Sequence, residues 1–136
     1  MIVICGIFLV ITTAVVQIQH SRIVIDEQLS LRAARDIVRS CQLVALSQQR
    51  YPATLRDLPP TTTPLAPTDL IGDGAQARKH GYIFSYRRLD DGTGFTLSLD
   101  PQVAQQTGGR HFYTDQDGQM HQNAQGPATG DDPVTP

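Results

Sequence analysis

The first 50 residues contain no proline and only one glycine, Gly6, so nothing in this stretch interrupts a helix. The opening 16 residues, MIVICGIFLVITTAVV, carry no charge, and the first permanent charge is Arg22. With the next three residues the run approaches the roughly 20 residues that span a bilayer. A cleaved signal peptide is the alternative, but no basic residue precedes the run and no small-x-small site follows it. We therefore predict that residues 1–22 form the transmembrane apolar half of a long helix.

Residues 23–50 have a helical period with a single apolar stripe. Apolar positions recur three and four apart, and charged side chains fill the opposite side. This pattern predicts an amphipathic half that continues the apolar half as one rod of roughly 75 Å. A membrane anchor followed by a separate helix is the alternative. The stripe consists of Ile23, Leu31, Ala34, Ile37, Val38, Cys41, Val44 and Ala45, and the opposite side holds Arg32, Arg35, Asp36 and Arg39.

Residues 51–136 are predicted to form a globular head. Pro52 ends the helix, because the residue before a proline disfavours helical backbone, and Leu55 and Leu58 can pack where the chain turns. Residues 59–80 contain four prolines and two glycines with little periodicity. This composition predicts a long loop over the head with one short helical turn. A Pro/Thr-rich linker between independent domains is the alternative, but too little chain follows for another full domain.

Alternating apolar and polar residues predict an antiparallel sheet in the head. Tyr82, Phe84 and Tyr86 share one side of GYIFSYRR, and GFTLSLD alternates in the same way after an Asp-Gly turn. We predict strands near 82–88, 94–100, 111–115 and 119–123. One face of this sheet is apolar and needs a cover, for which the stripe of the helix is the candidate. The predicted fold class is α+β, a long N-terminal α-helix packed on a small C-terminal antiparallel β-sheet.

The stretch HFYTDQDGQMHQN, residues 111–123, gathers side chains that could bind a metal ion. A type I turn with Gly118 left-handed would make it a hairpin, with Phe112 and Met120 on the core side and the histidines outward. Two histidines without a third protein ligand make a weak metal site. The turn also lacks one of the ligand positions of a calcium-binding loop and its distal glutamate. We therefore expect a solvated hairpin with surface histidines and no metal. The weak candidate ligands are Asp115, Asp117, His111 and His121.

Charge and motifs exclude several classes of protein. Eleven basic residues stand against 13 acidic ones, without the basic surplus of a nucleic-acid-binding protein. No nucleophile elbow, phosphate-binding loop or serine–histidine–aspartate pattern is present, so we do not expect an enzyme. Cys5 and Cys41 would lie roughly 54 Å apart on the predicted helix, too far for a disulfide. Cys41 is expected to pack on the stripe, and Arg78, Lys79, Arg87 and Arg88 to form a solvated edge.

The order of these elements resembles the type IV pilin and type II secretion pseudopilin family. MIVICGIFLV resembles the start of a mature pilin helix, and YPATLRDL resembles the helix-to-head junction of the major pseudopilin. GFTLSLDP, followed by HFYTDQDGQMHQNAQGPAT, resembles the closing strands and tail of pilin-like heads. The resemblance covers most of the chain apart from residues 59–80, and the carboxy-terminal block is its most specific element.

The resemblance implies a structural subunit, a pilin or pseudopilin, of a type IV pilus or type II secretion pseudopilus. Before assembly, such a subunit is a single-pass protein of the bacterial inner membrane with its head in the periplasm. It then joins a filament. Its partners would be other subunits, membrane lipid, the inner-membrane assembly platform and, if a leader lies upstream, the prepilin peptidase. The resemblance also makes calcium a candidate cofactor. Assembly would use Ile2, Val3, Ile4, Gly6, Ile7, Phe8, Leu9, Val10 and Ile11.

Two features depart from the family pattern. Family precursors carry a short basic leader that ends in glycine, and their mature helix has an acidic residue near its start, whereas the first acid here is Asp26. We expect the gene product to begin several residues upstream of Met1. The alternative function is a membrane-anchored periplasmic binding module that does not polymerise. A basic leader encoded upstream of Met1 would favour the filament subunit.

Overall fold

The computed structural model describes residues 2–89, 91–103 and 109–135, with side chains from Ile23 onward. Its first element is one continuous helix, α1, Ile2–Gln48. The helix ends where Gln49 adopts left-handed backbone, with φ of 62°, and its amide donates to the Ala45 carbonyl at 2.8 Å. This geometry satisfies a carbonyl that the last turn would otherwise leave without a partner. Pro52 follows, so the helix stops close to the predicted end at Arg50.

Six antiparallel strands form one sheet, in which every strand pairs with its neighbours along the chain. The longest pairing joins β3 and β4, from Tyr82 opposite Pro101 to Arg88 opposite Phe95. The four strands predicted from alternation are β3 to β6, with ends within two residues of the predicted ones. The strands are β1 Leu70–Ile71, β2 Gln76–Lys79, β3 Tyr82–Arg88, β4 Phe95–Pro101, β5 His111–Asp115 and β6 His121–Asn123.

The apolar stripe of α1 covers one face of this sheet, as predicted, and the two form a single core. Alternate side chains of β3 and β4 are buried, and those between them are half-buried or exposed on the opposite face. Burying one-sided elements against each other removes both apolar faces from water. The helix contributes Leu31, Ala33, Ala34, Ile37, Val38, Cys41 and Val44, and the sheet Ala77, Tyr82, Phe84, Tyr86, Phe95, Leu97, Leu99, Phe112 and Met120.

The prediction of a loop over residues 59–80 is wrong in its second half, where β1 and β2 form a hairpin. Gly74 takes a φ of 94° in the turn, and Asp73 accepts a hydrogen bond from the Ala75 amide at 3.0 Å. Ala77 is buried opposite Phe84, whereas the residues on either side of it are exposed. One buried position gives too short an alternation to reveal a strand. The sheet therefore has six strands instead of four, and the expected helical turn is at Pro67–Asp69.

Three polar residues also lie on the buried side of α1, where the predicted stripe contained only apolar ones. Glu27, Ser30 and Ser40 are 6%, 0% and 1% exposed. The Ser40 hydroxyl donates to the Thr62 carbonyl at 2.7 Å, which ties the first half of the 59–80 segment to the helix. Ile23, predicted to lie in the stripe, is only half-buried, as is Ala45.

The predicted membrane-spanning half, residues 1–22, lies where the structure describes no side chains. Within the described residues, no helix has a stretch long and apolar enough for a bilayer crossing. The prediction of a membrane span thus depends on the sequence alone.

Candidate functional site

The last hairpin, β5–β6, has the predicted register and turn. Tyr113 pairs with His121, and the Gly118 amide donates to the Asp115 carbonyl at 3.0 Å. Gly118 has a φ of 78°, which glycine adopts without the steric cost that a Cβ would bring. The Asp115 carboxylate accepts the Asp117 amide at 3.0 Å and fixes the turn. The side chains buried beneath this hairpin are Phe112, Thr114 and Met120.

Both histidines of the hairpin are hydrogen bonded, which corrects the expectation of simple surface histidines. His111 Nδ1 lies 2.6 Å from Asp100 Oδ1, and the His111 side chain is 18% exposed. His121 Nδ1 lies 2.7 Å from the Asp132 carbonyl oxygen. Because a carbonyl only accepts, this nitrogen of His121 carries a proton. The strand register places His111 opposite Asp100, but that register only becomes known with the fold.

The four candidate ligands in the hairpin do not form a metal site. Among the described residues, no three His, Cys, Asp or Glu side chains lie close enough together to hold one ion. His111 and His121 each use Nδ1 within the protein, and the Asp115 carboxylate already accepts a backbone amide. Asp117 lies on the exposed turn. These donors do not fit the three or four convergent ligands of zinc.

The carboxy-terminal tail holds further oxygen donors, and they are bound to the backbone. Asp132 accepts the Thr129 amide at 2.7 Å, and Asn123 accepts the amides of Gln125 and Gly126 at 2.8 and 3.2 Å. Calcium needs about six to eight oxygens directed at one point. The tail oxygens serve instead to fold residues 123–132 into turns, so the residues present do not fit a calcium site.

The tail also completes the edge of the sheet beside β6. The Gln122 amide donates to the Pro133 carbonyl at 2.9 Å, and the Thr135 amide donates to the Met120 carbonyl at 2.6 Å. His121 forms an antiparallel bridge with Val134. The otherwise open hydrogen-bonding groups of β6 are therefore partly covered by the chain itself, which lowers the tendency of this edge to pair with other strands.

A partly buried ion pair joins the helix to the loop before β5, and we call Glu27 and Arg110 the clasp. The Glu27 carboxylate accepts Arg110 Nε at 3.2 Å and Nη2 at 3.1 Å, and also the Gly109 amide at 3.0 Å. The Glu27 side chain is 8% exposed and that of Arg110 33%. Arg110 Nη1 donates to Gln122 on β6, and its guanidinium lies 5.2 Å from the centre of the Phe112 ring. The clasp thus ties α1 to the last hairpin.

The clasp was missed in the sequence although one of its residues carried a signal. Glu27 is seven residues before Ala34 and fourteen before Cys41, so a helical wheel places it on the apolar stripe. A lone carboxylate at such a position requires a partner, because an unpaired buried charge is strongly destabilising. Arg110, in the loop before β5, could not be assigned as that partner, because loop positions follow no period.

Cys41 is buried under the sheet, where its thiol is held in the neutral form. Burial raises the pKa of its thiol to about 12, against the lowering effect of a hydrogen bond with Tyr86. Burial likewise raises the pKa of Tyr86, whose hydroxyl donates to the Pro52 carbonyl at 2.6 Å. The neutral thiol is therefore the form present at physiological pH, as packing requires. The Tyr86 bond fixes the chain just after the helix.

A small apolar pocket lies in the segment that links the helix to the sheet. Its volume is about 330 Å³, and Leu55, Leu58 and Leu65 form its buried wall. Arg56 stands beside it, but its guanidinium donates to the Gly72 carbonyl at 2.8 Å and so holds the β1–β2 turn. The pocket provides apolar contact and little that would orient a polar ligand.

The predicted assembly residues, Ile2 to Ile11, lie in the part of α1 whose side chains the structure does not describe. The chain matches no family model, and no curated protein or solved structure is significantly similar to it.

Proposed function

We propose that the protein is a structural subunit of a pilin-like or pseudopilin-like filament and assembles through the apolar half of α1. The observation that carries this proposal is the difference between the two halves of one helix, Ile2–Gln48. Among the side chains of α1 that the structure describes, from Ile23 onward, the buried ones lie between Glu27 and Val44, where they cover the sheet. The same helix begins at Ile2, and residues 2–16 of its sequence are uncharged and mostly apolar.

The physical chemistry of such a helix supports assembly. An apolar helix is stable in lipid, and it can leave lipid only for another apolar environment, which a bundle of like helices provides. Gly6 and Ala14 are small enough to let neighbouring helices approach closely. The head supports the proposal in a second way, since it is rigidly joined to the helix by one core and by the clasp. A rigid junction transmits the helical packing to the heads.

The experiment measures self-assembly of the full chain. Protein purified from membranes in detergent is freed of detergent and analysed by sedimentation and negative-stain electron microscopy. We expect filaments or long oligomers from the unaltered chain. Gly6→Leu keeps the segment apolar but removes the close approach, so we expect a protein that resists alkaline extraction from membranes yet assembles several-fold less.

Ile7→Leu is the matched control, since it keeps both volume and apolar character in the same turn of the helix. It should assemble like the unaltered chain. A full chain that remains monomeric after detergent removal contradicts the proposal and favours a membrane-anchored binding module. Equal assembly of Gly6→Leu and Ile7→Leu contradicts the role of close helix packing.

A further inference from the structure

The side of α1 that faces away from the sheet carries apolar and basic side chains together. Ile25 is 55% exposed, Leu29 36% and Leu43 46%, although large aliphatic side chains gain most from burial. The charged positions Arg32 and Arg39 lie between them on the same side of the helix. We call this surface the outer helix face. Its central charges are those of Arg32, Arg35, Asp36 and Arg39, a net charge of +2 from three cations and one anion.

The position of these charges disfavours a symmetric pair of helices. Residue 36 lies midway between Leu29 and Leu43, so an antiparallel pair that matches these leucines crosses near it. The crossing would bring Arg32 of one copy beside Arg39 of the other, and a parallel pair in register would also place arginine against arginine. Contact between like charges costs enough free energy to favour one binding partner over another. The outer helix face therefore fits a different, acidic surface.

The chain carries such a surface at the β6 edge of its sheet. Residues 51–110 hold six basic and six acidic side chains, whereas residues 111–136 hold four aspartates and no lysine or arginine. The whole negative excess of the head is thus concentrated in β5, β6 and the tail, which we call the acidic edge. Arg110, which precedes it, is already paired with Glu27. Asp117, in the β5–β6 turn, and Asp131, in the tail, are exposed.

We propose that the outer helix face of one copy binds the acidic edge of a second copy. This contact joins two different surfaces of the same chain, so each bound copy leaves one of each surface free, and repetition gives an open filament instead of a closed dimer. Leu29 and Leu43 would lose water at the contact, and the arginines and aspartates would set its orientation. The inference rests on the proposed function and adds to the apolar helix a second, charge-guided contact between heads.

A charge exchange in the full chain tests this contact. Arg32→Glu with Arg39→Glu, and separately Asp117→Lys with Asp131→Lys, are each expected to reduce the assembled fraction about tenfold at low salt, because each brings like charges together. The protein that combines all four substitutions restores opposite charges across the contact and is expected to recover most of the assembly. Amine-to-carboxylate cross-linking should join the altered lysines to the altered glutamates only between differently tagged copies.

The controls reverse single charges of the same kind elsewhere on the surface. Arg78→Glu, on β2, and Asp73→Lys, in the β1–β2 turn, are both exposed positions and should leave assembly unchanged. Circular dichroism of each variant checks that the fold is kept. Normal assembly of both charge-reversed proteins overturns the contact while the proposed function stands, and failure of the combined protein to recover overturns the pairing of these two surfaces. An unaltered chain that never assembles overturns the proposed function and the contact with it.

Discussion

Replacing Glu27 by alanine removes the buried half of the clasp, and we expect the free energy of unfolding to fall by about 2–3 kcal/mol. The carboxylate accepts three hydrogen bonds, two of them from the Arg110 guanidinium, and its side chain is only 8% exposed. Loss of one partner from a fully buried pair costs about 3–5 kcal/mol. Arg110 is 33% exposed and keeps its bond to Gln122, so part of that cost is avoided by hydration.

The assay is urea unfolding of the full chain in a mild detergent, monitored by tyrosine fluorescence. The chain has no tryptophan, and two of its four tyrosines, Tyr82 and Tyr86, are buried in the core. The thermal midpoint should fall by roughly 6–12 °C for the expected loss. Glu27→Gln keeps an acceptor for the Gly109 amide and loses the ionic part, so its effect should be smaller, about 1–2 kcal/mol.

The matched control is the exposed pair of Asp36 and Arg39, whose charged atoms are 3.7 Å apart. Asp36→Asn removes the same formal charge from the same helix, but the partners are 39% and 74% exposed, so the loss should stay below about 0.5 kcal/mol. If Glu27→Ala costs no more than Asp36→Asn, the clasp does not hold the helix to the head, and the reasoning from burial is refuted.

Three further predictions concern single side chains in the head. Gly118→Ala should lower the free energy of unfolding by about 1 kcal/mol in urea, because a Cβ is strained in left-handed backbone. Gly126→Ala, with equally open surroundings, is the control and should be nearly neutral. Equal effects of the two substitutions would refute the strain in the turn. Cys41 should resist iodoacetamide at pH 8 in the folded protein and react in urea, because burial raises the pKa of its thiol to about 12. Peptide mapping by mass spectrometry measures the alkylated fraction. Fast alkylation of the folded protein would contradict this prediction. Hydrogen bonds from the Thr93 side chain and backbone lower the pKa of Asp91, so the stability they contribute is present above the usual carboxyl pKa and is lost as the pH falls through the lowered value. Thr93→Val should raise the Asp91 pKa toward its ordinary value in an NMR titration, and an unchanged titration would show that the hydroxyl contributes nothing.

The parts of the fold that follow a regular period could be predicted from the sequence. The amphipathic half of α1 repeats every three to four residues, and β3, β4 and β5 alternate with period two, so their buried faces follow from spacing alone. The β5–β6 turn was predictable for a different reason. Asp115 and Gly118 stand where a type I turn needs an acceptor and a left-handed residue, and both occupy those positions.

The missed features are those that depend on residues distant in sequence. β1 and β2 contain six residues between them, and only the pairing of Ala77 with Phe84 gives β2 a buried side. The hydrogen bonds of His111 and His121 likewise come from β4 and the tail. No local pattern encodes these partners, because a contact between strands depends on the register of the whole sheet.

The sequence by itself determined that a long helix with one apolar stripe would cover an antiparallel sheet, because repeating apolar positions dictate which sides must leave water. Only the tertiary structure decided how the two are fixed together. Glu27 and Arg110 are 83 residues apart in the chain. Their contact depends on the position that Arg110 takes in front of β5 once every strand has paired. The same folding leaves Arg32, Arg35 and Arg39 exposed on α1, and leaves Asp117 and Asp131 exposed in the β5–β6 turn and the tail.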